Sequence, residues 1–314
     1  MDENIVEYYR KKCIEQLFKA KGFETNWQTW KPYINQLVPK RTPKQILDLG
    51  DSLRKTFYTT NKGTREQGDV SGGGASWESL VCWYLNLCLI GRRTVVVKHS
   101  KQLLPIPVSD AITVNYSNFV SNTESDLIAI TFPDNSDYSI DKNLIDILDS
   151  DEEKVKLTKG RKGTYNLLDV LNALCHRDFE KLEIHVIQCK TNWNDNAQIP
   201  MLWDMIYSAE DFKNNIKVGK NNYSMHEVAK FTYSFVTVPT IKLEKIKSTS
   251  TCVQRVRNIS GGNYWGRQSE SNIASSIKEM LGRNLKTGHV DSHLLTLKKE
   301  LPKLANKYDY FNLS

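Results

Sequence analysis

The chain has 314 residues, enough for one large domain or two modest ones with a real core. Its 39% hydrophobic and 25% charged residues are those of an ordinary soluble globular protein, and no apolar run approaches the roughly 20 residues that span a membrane. A net charge of +7 favours an acidic partner, of which nucleic acid is the commonest. The acidic start Met1-Asp-Glu-Asn-Ile lacks the pattern of a signal peptide, and six scattered cysteines without a C-x-x-C pair read as reduced cytoplasmic thiols.

In chain order, residues 1 to about 60 carry a helical pattern. Ile5, Tyr8, Tyr9, Cys13, Leu17 and Phe18 recur at helical spacing. Trp27, Trp30, Tyr33 and Leu37 suggest a short second helix, and Pro43 to Tyr58 a third. Thr59 to Ser76 is polar and ends in Gly72-Gly73-Gly74, which predicts a loop. Ser76 is then the N-cap of an apolar helix reaching Ile90, with Glu78 in its first turn. Thr94 to Lys98 reads as a strand, followed by a loop containing Pro105 and Pro107.

Leu127 to Phe132 is expected to be a strand closed by the turn Pro133-Asp-Asn-Ser. Leu144 to Leu148 and Tyr165 to His176 look helical, separated by the charged stretch Asp149 to Lys162. Leu182 to Cys189 is the central strand, Ile199 to Tyr207 a helix, and Phe231 to Val238 a strand that Thr240 to Leu243 could extend. Ser271 to Leu285 and Ser292 to Tyr308 close the chain as helices. With no repeat and no low-complexity linker, the reading is one integrated α/β domain: a helical region to about 75, a core from 76 to 245, and a C-terminal region from 246 to 314.

Polar residues intrude on two of the apolar strands. Asp126 opens Ser125-Asp126-Leu-Ile-Ala-Ile130, and Gln188 and Lys190 close Leu182-Glu-Ile-His-Val-Ile-Gln-Cys-Lys190. Alternation puts Gln188 and Lys190 on one face of their strand. An acid, an amide oxygen and an ammonium meeting at strand ends suit a divalent cation and a water, the equipment of phosphodiester hydrolysis. Mg²⁺ keeps several of its waters, so one or two carboxylates suffice. Asp126 is the primary ligand in this reading, helped by the Gln188 side chain and the Cys189 carbonyl, with Lys190 beside the nucleophilic water. The bland readings are a turn carboxylate for Asp126, a solvent-facing edge pair for Gln188 and Lys190, and a helix-dipole partner for Glu78.

Asp126, followed 62 residues later by Gln188-Cys189-Lys190, resembles the PD-(D/E)XK nuclease superfamily. The resemblance covers about residues 75 to 210 and implies a restriction-endonuclease-like core, a mixed β-sheet flanked by helices, here with helical additions at both ends. It also implies Mg²⁺-dependent hydrolysis of double-stranded DNA. Gln188 stands where the family usually has an acid, and Glu78 matches a glutamate often carried on the preceding helix. The resemblance points to a type II restriction endonuclease that cuts a short sequence. Such an enzyme would work as a homodimer, because a palindromic site calls for matching two-fold symmetry. It would have a companion DNA methyltransferase acting on the same sequence. A repair or junction-resolving nuclease of the same superfamily, and a non-catalytic DNA-binding protein on a decayed core, are the alternatives.

The segment from Gln254 to Gln268 packs Arg255, Arg257, Asn263, Tyr264, Arg267 and Gln268 among three glycines, and is the expected DNA-reading element. Lys62 and Arg65 form a second candidate contact, and the run Lys154 to Lys162 could follow phosphates. Ile46-Leu-Asp-Leu-Gly50 has the look of a methyltransferase motif, but no further glycines follow and the pattern fits a helix. Gly72-Gly73-Gly74 lacks the Gly-Lys-Ser/Thr of a P-loop. His185 falls on the face opposite Gln188, where core packing is its expected role.

Overall fold

The computed structural model describes residues 3–60, 67–100, 102–116, 119–121, 125–191, 198–208, 216–238, 247–257, 259–264 and 273–313. Four helices open the chain: α1 (Ile5–Lys19), α2 (Lys21–Leu37), α3 (Pro43–Tyr58) and α4 (Gln67–Cys88). Asn4 caps α1 by accepting the Glu7 amide, and a reciprocal Thr42–Gln45 capping box starts α3 with Pro43 in its first turn. The buried stripe of α2 is Phe23, Trp27, Trp30 and Ile34, so this helix is longer than its tryptophans and Tyr33 alone implied.

The expected loop before Trp77 is instead the first half of α4, which runs through all three glycines. Each glycine costs up to about 1 kcal/mol against alanine. The helix continues because Trp77, Leu80 to Leu85 and Leu87 to Ile90 are wholly buried and fix its C-terminal half, and each further residue then adds a bond to an existing nucleus. Ser76 is therefore not an N-cap, and Glu78 lies in mid-helix rather than at the dipole's positive end.

Next come β1 (Thr94–Lys98), α5 (Ile106–Ala111), β2 (Val114–Tyr116), β3 (Phe119–Ser121), β4 (Leu127–Thr131), β5 (Thr158–Lys159) and β6 (Thr164–Tyr165). They are followed by α6 (Leu167–Arg177), β7 (Glu183–Lys190), α7 (Gln198–Ser208), β8 (Ile216–Val218) and β9 (Lys230–Thr237). The chain ends with α8 (Thr251–Val256), β10 (Asn263–Tyr264), α9 (Ile277–Asn284) and α10 (His293–Glu300). Pro105 and Pro107, expected in a loop, start α5, where a missing N–H costs nothing. Leu144 closes a 3-10 turn at Lys142–Leu144, but the chain from there to Leu148 is not helical: Ile145 and Ile147 point inward while Leu144 and Leu148 are 71% and 53% exposed, a period of two. The final helix is shorter than expected because Pro302 diverts it into a 3-10 turn at Leu301–Lys303. The proposed extension of β9 by Thr240 to Leu243 lies outside the described residues.

The main sheet has the order β1-β4-β7-β9-β10, with β10 only two residues long. β1 and β7 run antiparallel to β4, while β9 runs parallel to β7, so the sheet is mixed. Val96, Leu127, Ala129, Ile187, Cys189 and Val236 bury one face in the cluster that contains α4. Val95, Val97, Ile128, Ile130, Ile184, Val186 and Phe235 bury the other, in the cluster that holds the apolar side of α6. Strands covered on both faces read as continuous apolar runs, which is the pattern of β4, whereas β7 and β9 interleave buried polar residues such as His185, Gln188 and Ser234. This is the mixed sheet flanked by helices that the sequence implied. Among the described residues no helix is long and apolar enough to cross a membrane.

Candidate active site at the strand ends

β4 leaves β7 just before Leu127. Leu127 pairs with Ile187, so an unbroken antiparallel ladder would next offer the Ser125 carbonyl to the Cys189 amide. The Ser125 carbonyl instead accepts from His99 Nδ1 at 3.0 Å on the β1 side. The Asp126 carboxylate takes its place: Oδ2 accepts the Cys189 N–H at 2.7 Å. The Asp126 carbonyl, in turn, accepts the His99 amide at 3.0 Å. A buried amide needs an acceptor, so the strand split and the orientation of Asp126 are one feature.

The same ladder aims a carbonyl into the split. The Lys190 carbonyl accepts the Val238 amide at 3.0 Å, so Lys190 bonds toward β9. One residue earlier, Cys189 turns its N–H and C=O the other way, toward the departed β4 and the Asp126 carboxylate. Gln188 lies opposite Asp126 in the continued register and shares its face with Lys190. β7 is the central strand and Gln188 is 0% exposed, so the two do not form a solvent-facing edge pair. Lys190 is partly exposed at the end of the strand.

Glu78 reaches this end from α4, where its Oε2 is 3.1 Å from Lys98 Nζ. Lys98 Nζ also donates to the Ala75 carbonyl at 2.9 Å and to Ser79 Oγ at 3.1 Å, pinning the last residue of β1 to α4. The Cys189 thiol records the convergence. Its pKa is pushed well up, by burial first and then by Asp126 and Glu78, with Lys190 and Lys98 opposing. Glu78 and Lys98 flank this strand end from the α4 face of the sheet, while Gln188 and Lys190 lie on the opposite face with Asp126 at the split. The thiol itself is a protonated core group with no nucleophilic character.

Asp126, Glu78, the Cys189 carbonyl and the Gln188 amide are all oxygen donors, the set a hard cation such as Mg²⁺ accepts. Two carboxylates fit an ion that keeps several waters, and the carbonyl aimed into the split supports the fit. Among the described residues no three His, Cys, Asp or Glu side chains cluster.

Sequence reasoning missed Lys98, His99 and Thr237. Lys98 carries the same signal as Lys190, a charge closing an apolar strand. Thr237 faces Lys190 in the register, and its buried Oγ1 has no hydrogen-bond partner among the described residues.

The expected DNA-reading segment divides. Arg255 lies in α8 and Arg257 is its C-cap residue, both partly exposed. Asn263 and Tyr264 form β10 beside β9, joining the sheet edge. Gly261 serves packing instead of close approach to a ligand: a Cβ there would meet Ser234 Oγ and the Tyr233 carbonyl, each at 2.5 Å. Ser260 is held by Asp204, with Oγ donating to Oδ1 at 2.6 Å. Arg267, Gln268, Lys62 and Arg65 lie outside the described residues. Gly50, of the methyltransferase-like segment, sits in α3 against Tyr84 and the Lys278 backbone, with no room for a Cβ. His185 is buried between Thr232 and Ser234, and burial lowers its pKa to about 3, so it packs in the core as expected.

No protein-family model matches this chain, and no curated protein matches it.

Proposed function

We propose that the chain is a PD-(D/E)XK nuclease of the type II restriction class, cutting double-stranded DNA at a short sequence with Mg²⁺. The observation that carries the reading is Asp126 bridging the split between β4 and β7, beside the Cys189 carbonyl and one residue from Lys190. In this reading Asp126, Glu78 and the Cys189 carbonyl hold the ion, with the Gln188 amide on the same face as Asp126. When bound, Mg²⁺ supplies Lewis acidity toward the phosphoryl oxygens and lowers the pKa of a bound water.

Lys190 has the mobility and charge to orient that water and to offset the phosphate. Lys98 holds Glu78 in place and adds positive charge where the anionic backbone would lie. The net charge of +7 and the partly exposed Arg255 and Arg257 suit the same substrate. A palindromic target would call for a homodimer, and survival of the host DNA for a companion methyltransferase of the same specificity.

Incubation with plasmid DNA and Mg²⁺ tests the reading directly. Discrete fragments are expected. A smear would move the proposal to a non-specific or repair nuclease. Sequence-specific retention without cleavage, over a range of divalent ions, would leave only the DNA-binding reading.

A further inference from the structure

His99 and Asp126 carry the β1–β4 ladder one step beyond Lys98 and Leu127, with the His99 amide donating to the Asp126 carbonyl at 3.0 Å. Carbonyls alternate in direction along a strand, so the Ser125 carbonyl belongs on the β7 side. It is held on the β1 side instead, by His99 Nδ1 at 3.0 Å. A carbonyl only accepts, so Nδ1 carries the proton, and the neutral ring and the imidazolium both make this bond. One residue thus captures two consecutive carbonyls, one with its backbone and one with its side chain.

Ser125 is wholly buried, so its carbonyl needs a protein donor. Its hydroxyl lies 3.4 Å from that of Tyr207, which donates to the Ile112 carbonyl at 2.9 Å, a second and longer anchor. Two donors compete for the one carbonyl: the His99 ring and the Cys189 amide. While the ring holds it, the amide needs another acceptor, and Asp126 Oδ2 at 2.7 Å is that acceptor. Without the ring donor, the ladder's ordinary bond from the Cys189 N–H to the Ser125 carbonyl is restored. The Asp126 carboxylate then loses its fixed point.

We infer that His99 is the positioning residue for Asp126: its ring diverts the Ser125 carbonyl and so locks the carboxylate onto the Cys189 amide. In the nuclease reading, on which this catalytic role rests, the lock holds Asp126 ready for the cation. Partners that orient a metal ligand act through that ligand and need not touch the ion.

Two variants of this partly exposed residue test it: His99→Asn restores an N–H near the place of Nδ1, and His99→Leu keeps bulk without a donor. Mn²⁺ binding to the DNA-free full chain, read from the electron paramagnetic resonance of the free ion, is the first measurement. His99→Leu should bind Mn²⁺ about 10–100-fold more weakly, and His99→Asn should recover most of that loss. The Mg²⁺ concentration giving half-maximal plasmid cleavage should move in parallel. In protein labelled with ¹⁵N-cysteine, with Cys189→Ser to assign the signal, the Cys189 amide resonance should shift in His99→Leu and return in His99→Asn. A wild-type chain that neither binds Mn²⁺ nor cuts would overturn the nuclease reading, and the Cys189 resonance would still decide whether His99 positions Asp126. Where the wild type binds Mn²⁺, unchanged affinity in His99→Leu would overturn the inference, as would an unmoved Cys189 resonance. Equal losses in the two variants would overturn it too, leaving His99 a packing residue only.

Discussion

Asp126 Oδ2 accepts the Cys189 amide at 2.7 Å, in the position that a continuous β4 would give to the Ser125 carbonyl. One carboxylate thus closes a backbone ladder and, in the proposed reading, also holds the cation. Asparagine and alanine separate the two duties. Asp126→Asn keeps an acceptor for the amide and loses the charge, so stability should change little while Mg²⁺-dependent cleavage falls about 10²-fold or more. Asp126→Ala loses both, and the orphaned amide should cost a further ~1–3 kcal/mol in stability. Thermal unfolding and plasmid digestion of the two variants give the comparison. Full cleavage by either would remove Asp126 from the reaction.

Lys190 ends the central strand partly exposed, with no packing duty comparable to that of Gln188 beside it. Lys190→Ala should therefore fold normally and retain sequence-specific DNA binding, while cleavage drops about 10²-fold or more. Gel-shift and digestion assays on the same preparation test this. Normal cutting by that variant would place the chemistry elsewhere.

The Glu78–Lys98 ion pair at 3.1 Å puts an ammonium group where the proposed cation would compete for the same carboxylate. Lys98→Met should then lower the Mg²⁺ concentration giving half-maximal cleavage, provided Glu78 is a ligand. Glu78→Gln should raise it. If both substitutions leave the Mg²⁺ dependence unchanged, Glu78 is a structural partner of Lys98 and nothing more.

The three inner strands were legible because each is a short β-branched run, and Asp126, Gln188 and Lys190 stood out as polar residues those runs had no packing reason to contain. The register between β4 and β7 was not legible, and it is the register that makes Asp126 the acceptor for Cys189. Lys98 was passed over because its meaning depends on α4, and α4 was started ten residues too late, at Trp77 rather than Gln67. Glycine propensity suggested a loop there, but burial of the following turns decided otherwise. In the Gln254 to Gln268 segment, composition could not distinguish glycines that admit a ligand from glycines that admit a neighbouring strand. Gly261 proved to be the second kind.

Two histidines, His185 buried and His293 partly buried, set an acid-side limit on stability. Burial lowers the pKa of His185 to about 3 and that of His293 to about 4, against 6.5 when free. Folded-state values below the unfolded value mean that the unfolded chain binds more protons as pH falls. Stability is therefore fully present above about pH 6.5 and declines below it, by about 1.4 kcal/mol per pH unit for each histidine. Urea unfolding between pH 7.5 and 5, above the range in which most carboxylates titrate, should show that slope. His293→Gln keeps a donor for the Leu285 carbonyl, which His293 Nε2 reaches at 2.8 Å, and should remove roughly half of it. Unfolding free energies that stay flat or rise on acidification across this window would mean that these histidines do not remain neutral in the folded protein.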